Sequence, residues 1–299
     1  MTERPILMFG GAGQLGCELA KAFEARRYPY RSIAHAQADV ADEAAVRPFF
    51  EMPHAAVVNA AAYTRVDQAE DEPAAAFRAN RDGPALLARL CARAGTPLIH
   101  ISTDYVFDGR KTVPYVETDH PNPINVYGRS KLAGEAAVAE NLREHVILRT
   151  SWVFGEHGRN FLKTILRLCD ERGGVEVVTD QRGCPTCTID LAEAICTIIG
   201  RIRAGGAPFG LYHVASPEAV SWHDFAKVIL QARERLTGKA ASLVPVLGKD
   251  FPGRASRPAN SALDSSRFFE TFGFRAANWR ARASEVVARL LRGTEAKVS

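Results

Sequence analysis

The chain has no long apolar run. None reaches about 18 residues, the length at which a membrane-spanning helix is expected. The first five residues also lack the longer apolar stretch and the small-residue cleavage site of a secretory signal. We therefore expect no membrane span and a cytoplasmic location.

An excess of one charge is missing too. The 38 lysines and arginines are scattered and nearly balanced by 34 acidic residues, which leaves a net charge of +4. A nucleic-acid groove is a clustered basic feature, so we expect no nucleic-acid partner. Scattered arginines instead suit a small molecule that carries phosphate.

Cysteine is sparse, with six in 299 residues, and free thiols are the expectation for a cytosolic chain. Cys184 and Cys187 have the spacing of a redox motif or of half a zinc site. No second pair of cysteines or histidines completes such a site, so we interpret both as ordinary thiols and predict no metal.

Short apolar strands alternate with helical segments in the first half of the chain. The pattern predicts strands at 6–9, 30–34, 56–59, 98–101 and 146–148, and helices at 14–26, 44–50, 73–94 and 126–140. This alternation is typical of an α/β fold, a Rossmann-like doubly wound parallel sheet with helices on both faces.

The second half is less regular, with helices predicted at 160–172, 189–201 and 222–235, a segment rich in glycine and proline at 247–260, and a C-terminal helix. We expect residues 1–172 and 188–215 to form an NAD(P)-binding Rossmann domain. Residues 173–187 and 216–299 then form a smaller C-terminal substrate-binding lobe.

A glycine-rich turn, residues 10–16, follows the first strand and opens a helix. Gly10, Gly13 and Gly16 permit a tight turn, close approach of a pyrophosphate and close helix–strand packing, and the helix N-terminus supplies amide donors. The alternative is an ordinary glycine-rich turn. The second strand ends without an acid, and Arg31 and His35 lie nearby. NADPH is therefore preferred as the cofactor, and NADH stays possible.

Tyr127 and Lys131 are one helical turn apart, so their side chains share a face. A phenol has an ordinary pKa of about 10, and a neighbouring ammonium lowers it. Such a pair can pass a proton to an oxygen on carbon, which is half of a ketone reduction. A surface helix pair is the alternative. The hydroxyls of Ser102 and Thr103, at the end of the fourth strand, favour the catalytic interpretation.

Together these motifs resemble the extended short-chain dehydrogenase/reductase superfamily. Longer stretches resemble one family within it, the dTDP-4-dehydrorhamnose reductases. Those stretches are residues 102–109, 125–135, 149–155, 180–186, 212–213 and 256–261. The resemblance implies reduction of the C4 ketone of dTDP-4-dehydro-6-deoxy-L-mannose (dTDP-6-deoxy-L-lyxo-4-hexulose) to dTDP-L-rhamnose.

The same resemblance implies roles for individual residues. Tyr127 is expected to donate the proton, Lys131 to hold the nicotinamide ribose and lower the tyrosine pKa, and Thr103 to bond near the carbonyl oxygen. The implied cofactor positions are Gly10, Gly13, Gln14, Leu15, Gly16, Asp39, Val40, Ala62, Tyr63, Thr64, Tyr127 and Lys131. The implied substrate positions are Thr103, Asp104, Trp152 and Arg257. Core packing is an alternative for Trp152, as is a solvated loop for Arg257.

Some members of the family dimerise around magnesium bound by glutamates. Glu18 matches one such position, but Ile189 occupies another, so magnesium is doubtful and the chain is expected to be a monomer or a homodimer. Two other functions remain open. One is a sugar-nucleotide epimerase or dehydratase of the same superfamily, which regenerates a tightly held NAD. The other is a non-catalytic regulatory binding subunit.

Overall fold

Six parallel strands form the centre of the molecule in the computed structural model, which describes residues 3–250 and 253–295. In chain order, the strands of this sheet and of three smaller two-stranded sheets are β1 (Ile6–Phe9), β2 (Tyr30–Ile33), β3 (Ala56–Asn59), β4 (Leu98–Thr103), β5 (His145–Thr150), β6 (Val153–Phe154), β7 (Gly174–Val178), β8 (Arg182–Gly183), β9 (Thr186–Cys187), β10 (Gly210–His213), β11 (Val220–Ser221) and β12 (Ser242–Val246). The helices are α1 (Gln14–Ala25), α2 (Glu43–Val46), α3 (Val66–Asp71), α4 (Pro73–Phe77), α5 (Gly83–Ala94), α6 (Val126–Asn141), α7 (Phe161–Arg172), α8 (Thr188–Arg203), α9 (Trp222–Thr237), α10 (Ser266–Phe272) and α11 (Trp279–Glu295).

The central sheet has the strand order β10-β5-β4-β3-β1-β2, and every neighbouring pair is parallel. The chain moves outward in opposite directions from β1, because β2 lies on one side of it and β3 on the other. Ligands of such sheets bind beyond the carboxyl ends of the strands at this reversal. The expected doubly wound α/β fold is confirmed.

Helices cover both faces of the sheet, which explains why β1 and β3 are fully buried along their length and apolar except for Asn59 at the end of β3. On one face α1 and α8 bury residues such as Leu19 and Ile195 against the strands. On the other face α5 and α6 bury residues such as Leu87 and Val138. The helices on the two faces hold the sheet in place, and the glycine turn and the first turn of α6 both lie at its carboxyl edge.

The predicted helix 73–94 is interrupted in the structure. A π-helical turn, Arg78–Asp82, separates α4 from α5. Asn80 lies in this turn and is fully buried, and its carbonyl oxygen approaches α6 so closely that a Cβ on Gly134 would lie 2.0 Å from it. The helical periodicity of the sequence did not predict this turn.

A second apolar core lies outside the central sheet. It contains Phe225 of α9, Trp279 of α11 and Val177 of β7, and β7 pairs with β12 in parallel. The apolar face of α7, including Leu162, packs into this core. The expected division of the chain into two domains stays a prediction. Residues 251, 252 and 296–299 of the expected lobe lie outside the described residues.

Within residues 3–250 and 253–295, no helix has both the length and the apolar character needed to cross a bilayer.

Candidate active site

Four polar or glycine-rich segments meet at the carboxyl edge of the sheet. They follow β1, β3, β4 and β5, and they comprise residues 10–13, 59–64, 102–105 and 150–152. Because these four strands are adjacent and parallel, their carboxyl ends bring the segments together. The cofactor and catalytic residues predicted from sequence lie on these segments, at the first turn of α1 and on α6.

The glycine turn is a tight backbone cradle. Gly10 has φ of +84°, and the amides of Gly10 and Gly11 both donate to the Ile33 carbonyl at 3.0 Å. A Cβ on Gly10 would lie 2.5 Å from the backbone of Ala60, and a Cβ on Gly16 would lie 2.3 Å from the Gly10 carbonyl oxygen. In the part of the chain that the structure describes, no side chain caps the start of α1. A turn this close to the neighbouring backbone, with uncapped amides above it, fits a dinucleotide pyrophosphate.

The neighbours of the turn differ in what they offer to a cofactor. The side chain of Leu15 is buried in the core beneath the sheet edge, so its contribution is limited to its backbone. Gln14 is half-buried and lies near Asn160, which donates to its side-chain oxygen at 3.4 Å. Val40 is also buried and packs against Gly83 at the start of α5.

Asp39 is half-buried and forms an ion pair with Arg78. Burial acts to raise the pKa of its carboxyl, but the hydrogen bond from Ala41 and the Arg78 guanidinium outweigh burial and lower the pKa. Arg78 was not singled out from the sequence. It adds a second cation to Arg31 near the end of β2.

The segment after β3 faces open space. Ala62 and Thr64 are exposed and Tyr63 is half-buried. The Asn80 side chain holds both backbone groups of Tyr63, accepting from its amide at 2.8 Å and donating to its carbonyl at 3.0 Å. It also donates to the Ser130 hydroxyl at 2.9 Å. Asn80 therefore ties this segment to α6.

Tyr127 lies in the first turn of α6, where several polar groups fix the helix start. The Asn125 side chain caps the helix by accepting from the Gly128 amide at 2.7 Å, and Glu70 accepts from the Val126 amide at 2.7 Å. A Cβ on Gly128 would lie 2.1 Å from the Tyr105 carbonyl oxygen. Glycine at this position thus allows α6 to approach the turn after β4.

This close approach places Tyr127 among groups from β4. The ring of Tyr127 meets the ring of Tyr105 edge to face, with centroids 5.9 Å apart. Burial raises the pKa of the Tyr127 phenol to about 12; the hydrogen bond with the Thr103 side chain acts to lower it, and the Asp104 carboxylate acts to raise it. The phenol therefore keeps its proton at neutral pH, as a proton donor must.

Lys131 follows one turn later and is almost completely buried. Its ammonium donates to the Ile101 carbonyl in β4 at 2.6 Å. Burial lowers the pKa of Lys131 to about 8, and Glu135 acts in the opposite direction. Contrary to the expectation from sequence, Lys131 is not among the groups that shift the Tyr127 pKa, and the burial of the phenol dominates.

Asp104 is buried at the end of β4. Its carboxylate accepts from the Ser151 hydroxyl at 2.8 Å and from the Thr103 hydroxyl at 3.1 Å. Burial raises the pKa of Asp104 to about 6, although its hydrogen bonds with Ser261, Ser151 and Thr103 act to lower it. Asp104 is thus a carboxyl that titrates just below neutral pH beside the Tyr127 phenol.

Trp152 has φ of +45°, a conformation that side-chain-bearing residues rarely adopt. Its ring is buried and stacks on Trp222 with centroids 3.4 Å apart. Most of this ring is therefore occupied by packing. The side-chain contacts of Trp152 are those of a core residue, as the alternative interpretation of the sequence expected. Its backbone lies just after β5, where a substrate position was expected.

Arg257 lies close to Tyr105, the ring that packs against Tyr127. It pairs with Asp67 of α3 at 2.6 Å. Burial acts to lower the Arg257 pKa, but Asp67 and the Tyr105 side chain, both of which hydrogen-bond with it, raise it overall. Arg257 is half-buried rather than solvated.

Glu18, Glu156 and His157 form a cluster whose ligand atoms lie within 4.8 Å of one another. Sequence reasoning found only Glu18. Glu156 already pairs with Lys21 at 2.8 Å. The cluster is partly neutralised by this lysine and does not by itself require a metal.

The model of the RmlD substrate binding domain family matches residues 4–292. The dTDP-4-dehydrorhamnose reductase of Sinorhizobium fredii is 45% identical over 243 residues, which cover 80% of this chain and 82% of the relative. The enzyme of the same name from Burkholderia thailandensis is 40% identical over 284 residues, covering 92% and 95% of the two chains. The chain belongs to the dTDP-4-dehydrorhamnose reductase family. The resemblance inferred from sequence is confirmed.

Solved structures agree with this assignment. The Bacillus anthracis dTDP-4-dehydrorhamnose reductase in complex with NADP superposes with a TM-score of 0.89 at 33% identity, covering 96% of this chain and 100% of that one. The NAD complex of UDP-glucose 4-epimerase from Brucella ovis has a TM-score of 0.78 at 22% identity, covering 92% and 94%. This second likeness shows only a shared fold.

Proposed function

We propose that the chain catalyses the NADPH-dependent reduction of the C4 ketone of dTDP-4-dehydro-6-deoxy-L-mannose to dTDP-L-rhamnose. The observation that carries this proposal is one piece of geometry. A protonated phenol on Tyr127, an ammonium on Lys131 and the Thr103 hydroxyl meet at the sheet edge to which the glycine turn also contributes. This is the set of groups that a ketone reduction needs, and the family of the chain points to the same chemistry.

NADPH, when bound, supplies the hydride. We infer that the glycine turn and the uncapped start of α1 hold its pyrophosphate, and that Asp39, Val40 and residues 62–64 line the rest. Arg31 and Arg78 are cations suited to a 2′-phosphate, and the His35 imidazole can donate a hydrogen bond to it, so NADPH is preferred and NADH is possible. Lys131 has two ammonium protons beyond the one bonded to Ile101, and these can hold ribose hydroxyls.

Tyr127 is the proton donor in this proposal. Its phenol is neutral at working pH. The Thr103 hydroxyl, which hydrogen-bonds with this phenol, also bonds the carbonyl oxygen of the substrate and holds it beside Tyr127. As charge develops on that oxygen, the Tyr127 proton transfers to it, which is general acid catalysis. Lys131 acts on this step through the cofactor, because its remaining ammonium protons can hold the nicotinamide ribose beside Tyr127.

The sugar nucleotide is held by residues around this pair. We infer that Asp104 accepts from sugar hydroxyls and that Trp152 limits the pocket beside β5. Arg257 offers a planar guanidinium to the diphosphate. The segments 173–187 and 216–299 are proposed as the substrate lobe. The location is proposed to be the cytoplasm, with no nucleic-acid partner, and the protein acts as a monomer or a homodimer.

The test is to supply the dTDP-keto sugar with NADPH or with NADH. The absorbance of the reduced nicotinamide and the sugar product are followed together. Oxidation of NADPH in step with formation of dTDP-L-rhamnose is expected. A protein that retains stoichiometric nicotinamide after purification, and turns over sugar nucleotides without net oxidation of added NADPH, is an epimerase or dehydratase instead. Binding without any turnover indicates a regulatory subunit.

A further inference from the structure

Glu135 lies one turn beyond Lys131 on α6 and belongs to a buried polar cluster beneath the candidate site. The cluster joins α6 to β4 and β5 through Glu135, Ser102 and Arg149, whose side chains are all nearly inaccessible to solvent. The proposed function gives Glu135 no part.

The carboxylate of Glu135 is held from two sides. Arg149 donates to it through Nε, at 2.9 Å to Oε1, and through Nη2, at 2.7 Å to Oε2. The Ser102 hydroxyl donates to Oε1 as well. Ser102 stands between Ile101, whose carbonyl accepts from Lys131, and Thr103. Glu135 thus contacts the strand segment that positions two of the proposed catalytic groups.

The titratable groups around Lys131 differ in whether they carry a charge. His100 faces it from β4, Tyr127 shares its helix face and Arg149 lies beyond Glu135 on β5. Burial holds the pKa of His100 well below its ordinary value, so this imidazole is neutral, and the Tyr127 phenol is neutral too. Within the described part of the chain, Glu135 is the charged group that acts on the Lys131 pKa, and it raises it. Without that carboxylate, two buried cations remain with no counter-ion.

We propose that Glu135 is a positioning residue that keeps the buried ammonium of Lys131 protonated and aligned on the Ile101 carbonyl. The Arg149 and Ser102 hydrogen bonds fix its carboxylate in place. This inference rests on the proposed role of Lys131 in the reductase reaction.

The test is a pH titration of Lys131 in the cofactor-free protein, read from the NMR signal of isotope-labelled lysine and assigned with Lys131→Met. Glu135→Gln removes the charge and nearly keeps the shape. We expect the midpoint of the titration to move to lower pH by about 1 to 2 units, the size expected for opposite charges one helical turn apart at an intermediate dielectric. The alkaline limb of kcat/KM for the keto sugar should move in the same direction.

Ser102→Ala is the matched control, because it removes one hydrogen bond to Glu135 and leaves the carboxylate. We expect the Lys131 midpoint to stay near that of the wild type. An unchanged midpoint in Glu135→Gln overturns the proposal, as does an equal shift in both variants, since the strand geometry rather than the charge would then be responsible.

A second variant guards against misfolding, since removal of one partner from a buried ion pair is strongly destabilising. The double variant Glu135→Gln/Arg149→Met removes both charges, and its Lys131 midpoint should lie between those of the wild type and Glu135→Gln, because loss of the Arg149 cation offsets part of the loss of the carboxylate. A midpoint above that of the wild type in this variant also overturns the proposal. The titration needs neither substrate nor NADPH, so its result is independent of whether the protein reduces the keto sugar. A shifted Lys131 midpoint can be observed in a protein that does not reduce the sugar, and an unshifted midpoint in one that does.

Discussion

Gly16→Ala tests whether the backbone cradle after β1 is what binds the cofactor. A Cβ at this position would lie 2.3 Å from the Gly10 carbonyl oxygen and 2.7 Å from the Gly11 Cα. Ordinary contacts between such atoms begin near 3.4 Å, so the turn must shift by about 1 Å. Both neighbours are backbone atoms and cannot rotate away, and overpacking of this kind costs about 1–3 kcal/mol.

Gly200→Ala is the matched control for this change. Gly200 lies inside α8, and among residues 3–250 and 253–295 no atom lies within 4 Å of the position that an added Cβ would take. Replacing glycine by alanine within a helix stabilises by about 0.5–1 kcal/mol, and this gain applies to both variants. The difference between the two variants therefore isolates the clash at the turn.

Urea unfolding and NADPH titration measure the two effects. Gly16→Ala should lower the free energy of unfolding relative to Gly200→Ala. It should also weaken NADPH binding at least about tenfold, because losing one charge-assisted hydrogen bond to a phosphate costs about 1.5–3 kcal/mol. Gly200→Ala should bind NADPH as the wild type does. Wild-type NADPH affinity in a folded Gly16→Ala variant would refute the cradle as the pyrophosphate site.

Two further predictions concern the charges around the site. The pKa of Asp104 is raised from 3.8 to about 6, so its protonated form stabilises the fold below about pH 4, and this contribution is lost as the pH rises through about 6. The free energy of unfolding of the wild type, measured with urea, should therefore fall by up to about 3 kcal/mol between about pH 4 and about pH 7, and Asp104→Asn should abolish this fall. An identical pH dependence in both proteins would contradict this. Glu156 is already paired with Lys21, so dialysis against EDTA should leave keto-sugar reduction unchanged; a loss restored by Mg²⁺ would show that the cluster of Glu18, Glu156 and His157 holds a functional metal.

Local spacing explains what the sequence revealed. The glycine turn is contiguous, and Tyr127 and Lys131 are one helical turn apart, so neither needs knowledge of distant contacts. The motif positions of Leu15 and Val40 were equally visible. Their side chains nevertheless pack into the core, because a motif identifies the backbone position and not the direction of the side chain.

Long-range pairs were beyond prediction from a single sequence. Arg257 and Asp67 are separated by 190 residues, and no local pattern joins this arginine to α3. Arg149 and Glu135 meet because β5 lies beside β4 under α6, an arrangement set by the whole sheet. The effect of burial on the Tyr127 pKa was missed for the same reason, since desolvation depends on how closely α6 packs on the turn after β4.

The most direct test of the central claim is the effect of Tyr127→Phe on keto-sugar reduction, measured together with NADPH affinity. The control is Tyr30→Phe, which loses a hydroxyl bonded to Glu24 at the far end of β2. We predict that Tyr127→Phe lowers kcat by at least about 100-fold, the usual contribution of a general acid, and leaves NADPH affinity and the activity of the control nearly unchanged. A fully active Tyr127→Phe enzyme would contradict the assignment of Tyr127 as the proton donor.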